Sequence, residues 1–366
     1  MNDADMDLQA LRDSIRDVLE RELDSQRLHR LVDESALMDK ALWGTAASLG
    51  WPALAVGEGH GGLGLGAPET AVLFEELGRS LAPLPALGGV LAARAIALGG
   101  SAEQQARWLP AIAAGEILCA ISETTTKSAV SILRGDAGEI VLSGDAADLL
   151  QGAEADLLIV LAEDASGAPA LVVVEPKADG VELIVERTVD RTRHLATARF
   201  AELKLPADRE LAAASPETIL AALTIEAALA LASDSAGGAQ AVFERTLDYL
   251  KTREQFGKPI GSFQALKHRC AEHKVALAAS ASVVAEAVRL QAEGAPSAPL
   301  MASLAKAYAC EVYAKVAEDA VQLHGGIGFT WEHDCHLFLK RAKLNQALLG
   351  GTAAGLDHAA DLLLAS

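Results

Sequence analysis

Apolar residues recur at three- and four-residue intervals through the first third of the chain. Leu8, Leu11, Ile15, Val18 and Leu19 make one such stripe with charge on the opposite face, which predicts an amphipathic helix. Ser35 or Asp39 offers an N-cap for a helix through Leu42 toward Leu49, and Gly50-Trp51-Pro52 breaks it. A helix around 70–81 carries Glu75-Glu-Leu-Gly-Arg79 and stops before Pro83 and Pro85. After Cys119 the texture changes. Segments 139–143, 157–161, 171–175 and 181–185 are short, rich in β-branched residues and separated by Gly, Asp and Pro, and 198–205 alternates like a strand. Links this short exclude crossover helices, so the predicted sheet is mostly antiparallel. From Pro216 helical spacing returns. Leu304, Tyr308, Val312, Val316, Ala320 and Leu323 line one face of a long helix, Leu266, Cys270, Val275 and Leu277 imply a neighbour, and Pro296 and Pro299 mark the break between them. The pattern predicts a mainly α fold with a small β-domain: helices over 1–118, a β-domain over 119–210 and a helical bundle over 211–366.

Composition narrows the function. Among 366 residues 51% are apolar and only 4% aromatic, which favours helix packing over a large sheet. The net charge of −19 repels phosphate backbones and anionic lipids, so nucleic acid and membrane surfaces are not expected partners. An anionic substrate would need locally placed Arg and Lys. Cys119, Cys270, Cys310 and Cys335 follow no disulfide framework and read as buried free thiols. The acidic start Met1-Asn-Asp-Ala-Asp is neither a secretory signal nor an Arg-rich transit peptide, and the Ala/Leu run 219–232 is interrupted by Thr224 and Glu226. A cytoplasmic protein is expected.

Several motifs carry candidate chemistry. The glycine-rich stretch 57–66 lacks the lysine and hydroxyl of a phosphate loop and follows no strand, so it reads as a connector. Gly257-Lys-Pro259 reads as a helix stop and Ile260 to Phe263 as the next helix start. Arg253, on the turn before that glycine, either complements a helix dipole or pairs with a pyrophosphate, for which its planar fork is suited. Gly325-Gly-Ile-Gly328 follows a helix, not a strand, so it is either a helix stop or a turn that lets a cofactor backbone approach closely. Neither His268, Cys270 and His273 nor His333, Cys335 and His336 has a zinc spacing, and no metal is expected. No nucleophile elbow occurs. The acid–base candidates are Glu226 and Asp234 on the apolar helix leading to Arg253, each either a base raised by burial or a solvent-facing charge.

In order along the chain, Gly50-Trp51-Pro52, Gly61-Gly-Leu-Gly64, Glu75-Glu-Leu-Gly-Arg79, Tyr249 with Arg253-Glu-Gln-Phe-Gly257 and Phe263-Gln264, then Gln322-Leu-His-Gly-Gly326 resemble the acyl-CoA dehydrogenase pattern. The resemblance spans essentially the whole chain. It implies an α-helical N-terminal domain, a middle β-domain, a C-terminal four-helix bundle, a tetramer, FAD as cofactor, an acyl-CoA substrate and an electron-transferring flavoprotein as acceptor. Carried over, Arg253, Gln264, Gln322, Gly325 and Gly326 would hold the nucleotide end of FAD, with Phe256 packing beside it and Thr352 near the flavin.

The chain also departs from that pattern. The family's Thr-Glu-Pro…Gly-Ser-Asp run is replaced by Ser122-Glu-Thr-Thr-Thr-Lys127, and its aromatic with Ile/Val-Thr-Asn near the flavin ring by Asp145-Ala-Ala-Asp-Leu-Leu150. The Tyr-Glu-Gly-Thr turn that carries the usual catalytic glutamate reads Leu348-Leu-Gly-Gly-Thr352. The family's second position for the base falls on Ala227, and Glu226 is turned from it by roughly 100°. The catalytic residue is therefore left unassigned. The resemblance implies a subunit that completes the FAD site of a homologous partner carrying the base, as in bacterial enzymes for bulky, steroid-derived acyl groups. The alternatives are a self-sufficient homotetramer using Glu226 or Asp234, and a flavin-free scaffold.

Overall fold

The computed structural model describes residues 3–122, 128–135 and 138–365. They fold into two compact units: residues Met1–Glu34, Ala67–Ala82 and Ala228–Ser366 form one, Ser35–Gly66 and Pro83–Ala227 the other.

The first unit is helical. It contains α1 (Asp3–Glu22), α2 (Ser25–Asp33), α4 (Ala67–Ser80), most of α7 (Pro216–Thr252), α8 (Gln264–Ala292), α9 (Ala298–His324), α10 (Cys335–Ala347) and α11 (Gly351–Ala365). Ile15, Val18 and Leu19 bury the stripe of α1. The Glu75-Glu-Leu-Gly-Arg79 motif on α4 has structural work. Glu76 is buried and receives both nitrogens of the Arg16 fork at 2.9 and 2.7 Å. A Cβ at Gly78 would lie 2.1 Å from the Asp234 carbonyl oxygen, and one at Gly237 would lie 1.9 Å from that of Glu75. Helices α4 and α7 therefore touch backbone to backbone, which only glycine permits there. On α9 the predicted face is mostly buried, although Tyr308 is 40% exposed.

The second unit holds α3 (Lys40–Ser48), α5 (Ala86–Gly99), α6 (Ala102–Ala113) and a seven-stranded sheet. Asp39 is the cap of α3, accepting from the Leu42 N–H at 3.0 Å. The strands are β1 (Cys119–Ile121), β2 (Val130–Arg134), β3 (Glu139–Leu150), β4 (Leu157–Glu163), β5 (Pro169–Val174), β6 (Val181–Val185) and β7 (Leu195–Pro206), in the order β1-β4-β2-β3-β7-β6 with β5 beside β4. All five expected strands are present. The sheet is mixed: β2–β3, β3–β7, β4–β5 and β6–β7 are antiparallel, while β1–β4 and β2–β4 are parallel. Strand β3 runs to Leu150, past the expected 139–143. It is bent twice, at Gly144 (φ 120°) and near Asp148 (φ 55°), where its register to β7 shifts.

Two helices, α7 and α8, are long and apolar enough by length and composition to cross a bilayer, which the expectation from interrupted runs missed. The apolar window of α7 is 61% buried inside the protein, but that of α8 only 28%, and Val275 on α8 is 71% exposed.

Candidate functional site

Helix α7 does not end on the expected glycine. It ends at Thr252, and the chain turns through a small hairpin of β8 (Glu254–Gln255) and β9 (Lys258–Pro259). The two residues between them, Phe256 (φ 54°) and Gly257 (φ 76°), both have left-handed backbone, as a two-residue type I′ turn requires. Phe256 is a costly choice there, and its ring is 91% exposed, in edge-to-face contact only with Phe263 at 6.1 Å. Its exposure removes any packing reason for the residue. The Arg253 carbonyl accepts from the Ile260 N–H at 2.8 Å. Its guanidinium is exposed and has no partner among the described residues. A short 3₁₀ turn, Ile260–Ser262, replaces the expected helix start, and α8 begins at exposed Gln264 with no side-chain cap. The Leu266 and Lys267 N–H groups both bond to the Phe263 carbonyl at 3.1 Å, which leaves those of Gln264 and Ala265 to outside acceptors.

The second motif sits at the end of α9. Gly325 has φ 63° and ψ −141°, and its N–H bonds to the Gln322 carbonyl, so it is the helix stop. Gly326 is different. Its φ is not positive, and an added Cβ would meet nothing within 4 Å. Nothing in the fold asks for glycine at that position. By contrast, a Cβ at Gly328 would lie 2.7 Å from the Val321 oxygen. Around the turn Gln322, Ile327 and Phe329 are exposed. The two motifs are tied together. Tyr249, one turn before Arg253, stacks on His324 with ring centres 4.4 Å apart and donates to its carbonyl at 3.4 Å. The Tyr249–His324 contact thus joins the end of α7, which leads to Arg253, to the end of α9, which carries Gln322, Gly325 and Gly326. Thr352 lies in the first turn of α11, where its Oγ1 is buried without a partner. The turn before it holds Leu349, Gly350 and Gly351, all at positive φ, and no carboxylate.

The two carboxylate candidates have opposite fates. Asp234 is fully buried, with the Asn345 amide donating at 2.6 Å and the Arg341 guanidinium at 3.2 Å. It is a structural ion pair closed to any substrate, which removes it as a base. Glu226 lies on the part of α7 that belongs to the sheet unit. Burial pushes its carboxyl up to about 7, against the pull of Arg94, whose Nε lies 2.9 Å away but off the hydrogen-bonding direction. That range suits a general base.

In the sheet unit, segment 145–150 is the second half of β3. Asp145 receives Arg199 Nε at 3.1 Å, while Leu149 and Leu150 are buried. The Ser122 hydroxyl accepts the Leu161 N–H at 2.8 Å, and residues 123–127 lie outside the described residues.

Comparison with known proteins matches two family models: "Acyl-CoA dehydrogenase, N-terminal domain" over residues 5–116 and "Acyl-CoA dehydrogenase, C-terminal domain" over 217–363. The acyl-CoA dehydrogenase IpdE2 of Mycobacterium tuberculosis is 33% identical over 342 residues, 93% of this chain and 92% of that protein. Among solved structures, a variant of the Tcur3481–Tcur3483 steroid acyl-CoA dehydrogenase is 30% identical with a TM-score of 0.88, covering 98% of each chain. The ChsE4–ChsE5 complex of Mycobacterium tuberculosis is 26% identical with a TM-score of 0.91, covering 100% of this chain and 98% of that one.

Proposed function

Because this chain belongs to the acyl-CoA dehydrogenase family, we propose that it is one of two dissimilar subunits of an FAD-dependent enzyme, gripping the nucleotide end of a flavin whose reacting end and catalytic base belong to the partner. The family membership makes it an acyl-CoA dehydrogenase with FAD as cofactor. Bound FAD would supply the hydride acceptor for the β-hydrogen of the thioester. This chain's part is binding. Arg253 offers its unengaged fork to the pyrophosphate, and the uncapped N-terminus of α8 at Gln264 offers N–H groups and a positive dipole end. Gln322 hydrogen-bonds beside them, Gly325 and Gly326 let phosphate oxygens approach backbone, and Phe256 covers an aromatic ring. Thr352, whose hydroxyl is buried with no partner among the described residues, is the proposed contact near the flavin.

The reading rests on one observation: the side chains of Arg253, Gln264 and Gln322 are exposed with no partner among the described residues, while two segments that would hold the flavin ring and the base, 145–150 and 348–352, lack the chemistry. Segment 145–150 has no aromatic and its Asp145 is paired, and turn 348–352 has no carboxylate. The thinly covered apolar window of α8 suits a homologous subunit. Relatives whose names carry a steroid enzyme and a two-protein complex support a bulky acyl-CoA substrate and a mixed tetramer. An electron-transferring flavoprotein is the proposed acceptor.

A second reading, a homotetramer with its own base, is favoured only by Glu226 at about 7. Expression of the chain alone and with a candidate partner, followed by flavin quantitation, separates the two. The proposal expects no flavin on the lone chain and one FAD per two chains in the complex. A lone chain that is fully yellow and oxidises an acyl-CoA would refute it, and a colourless complex would leave only a scaffold role.

A further inference from the structure

The sequence pairs His333 with Cys335 and His336, a spacing that fits no metal. The fold pairs them differently. His324, from the end of α9, meets His333 and Cys335 so that a ring nitrogen of each histidine and the cysteine Sγ all lie within 4.8 Å of one another. Cys335 Sγ is 3.4 Å from His324 Nδ1 and 3.9 Å from Nε2, and the two imidazole rings are 4.5 Å apart. We propose that His324, His333 and Cys335 form a binding site for one divalent transition-metal ion of the zinc class, independent of the flavin reading.

Four observations support it. His324 Nδ1 lies 2.8 Å from the Ala320 carbonyl, which can only accept, so Nδ1 carries the proton and Nε2 keeps its lone pair. An imidazole oriented by a backbone carbonyl is the usual preparation of a metal ligand. The ring is further held by the Tyr249 stack at 4.4 Å. His324 and Cys335 are buried while His333 is half-buried, which gives both an enclosed site and a route from solvent for the ion and a fourth, water ligand. The neighbouring groups do not compete. Asp334 is engaged by Ser25, His29 and Arg245, and His336 stacks on Trp331 at 4.8 Å.

Tetrahedral ligation places ligand atoms roughly 3.3–3.6 Å apart, so the widest pair must close by about 1 Å. His333 must also release the Cys335 N–H, which its Nδ1 accepts at a long 3.2 Å, if that nitrogen is the one that ligates. Uptake replaces the thiol S–H bond with a metal–sulfur bond and hands one proton to the buffer, with no change of oxidation state. The ion would join the end of α9 to the start of α10.

The test is Co2+ titration of the full-length protein after chelator dialysis. The expected result is saturable uptake of one ion per chain, with the visible bands of tetrahedral cobalt and thiolate charge-transfer absorption, both erased by Zn2+. C335A should lose the charge-transfer band, and H333A should weaken uptake by more than about tenfold, a loss that even outer-shell changes produce. H268Q, an exposed histidine on α8, should leave uptake unchanged. Circular dichroism and thermal unfolding report whether each variant is folded. No saturable uptake by the parent protein, or uptake that persists unchanged in folded H333A and C335A, overturns the assignment.

Discussion

Two arginines of the helical unit carry the same charge and serve opposite ends. Arg341 is fully buried, where Asp234 and Asn345 complete a polar network inside the bundle. Arg253 stands in solvent beside an exposed phenylalanine and an open glycine turn, with no partner among the described residues. A buried polar group is there because its partners are; an exposed one held at the end of a rigid helix is there for something outside. The contrast divides the unit into an interior that sets stability and a face that sets binding.

The largest test attacks the interior. D234A removes the carboxylate that faces the buried Arg341 guanidinium, so stability should fall by about 3–5 kcal/mol in urea titrations. A loss below about 1 kcal/mol would mean that the network is not structural. R253A should do the reverse. Stability should stay within about 0.5 kcal/mol, while flavin affinity of the assembled enzyme falls by about 1.5–3 kcal/mol, roughly ten- to hundredfold, on equilibrium dialysis. If R253A destabilises the fold instead, the division is wrong.

Glu226 lies between these extremes, half-buried beside Arg94. Its carboxyl is raised from 4.5 to about 7 in the folded protein, so the native state holds its proton longer than the unfolded chain does. Stability from this group is complete below about pH 4.5 and declines as pH rises to about 7. E226Q should flatten that slope and gain on the order of 2 kcal/mol at pH 8, less whatever screening its partial exposure allows, in urea unfolding at several pH values. An unchanged slope would show that Glu226 is ordinarily ionised. The smallest effect is expected at the hairpin tip. F256N places the favoured Asn-Gly pair in the type I′ turn and should raise stability by about 0.5–1 kcal/mol in thermal unfolding while weakening flavin retention. A loss of stability would mean that the exposed ring supports the fold.

Much of this architecture was legible in the chain, because helix stripes and β-branched runs are local. The Asp39 cap, the five strands and the break at Pro296 and Pro299 follow from a few neighbouring residues. The misses share a cause. Strands β1 and β2 are short and gain their place from β3 and β4. The 253–264 hairpin looked like a helix stop because its glycine signal is the same for both. Asp234 read as either a base or a solvent-facing charge, and neither holds, because its partners lie 107 and 111 residues away. Likewise His324 could not be grouped with Cys335 until α9 and α10 were set side by side. The glycines at 325 and 326 were visible as a pair, but only the fold separates the one required by φ from the one with no internal reason to be glycine.

The glycine contact of α4 with α7 has a consequence for synthesis. The sheet unit is assembled from residues that have all left the ribosome before α8 exists, whereas α1 and α4 must wait for the later half of α7 to reach Gly78. The newborn chain therefore carries two unsatisfied helices after the sheet unit has folded, and premature termination would strand them. Ribosome-stalled chains should resist protease over the sheet unit first, with α1 and α4 cut until translation is nearly finished; early protection of α4 would contradict this order.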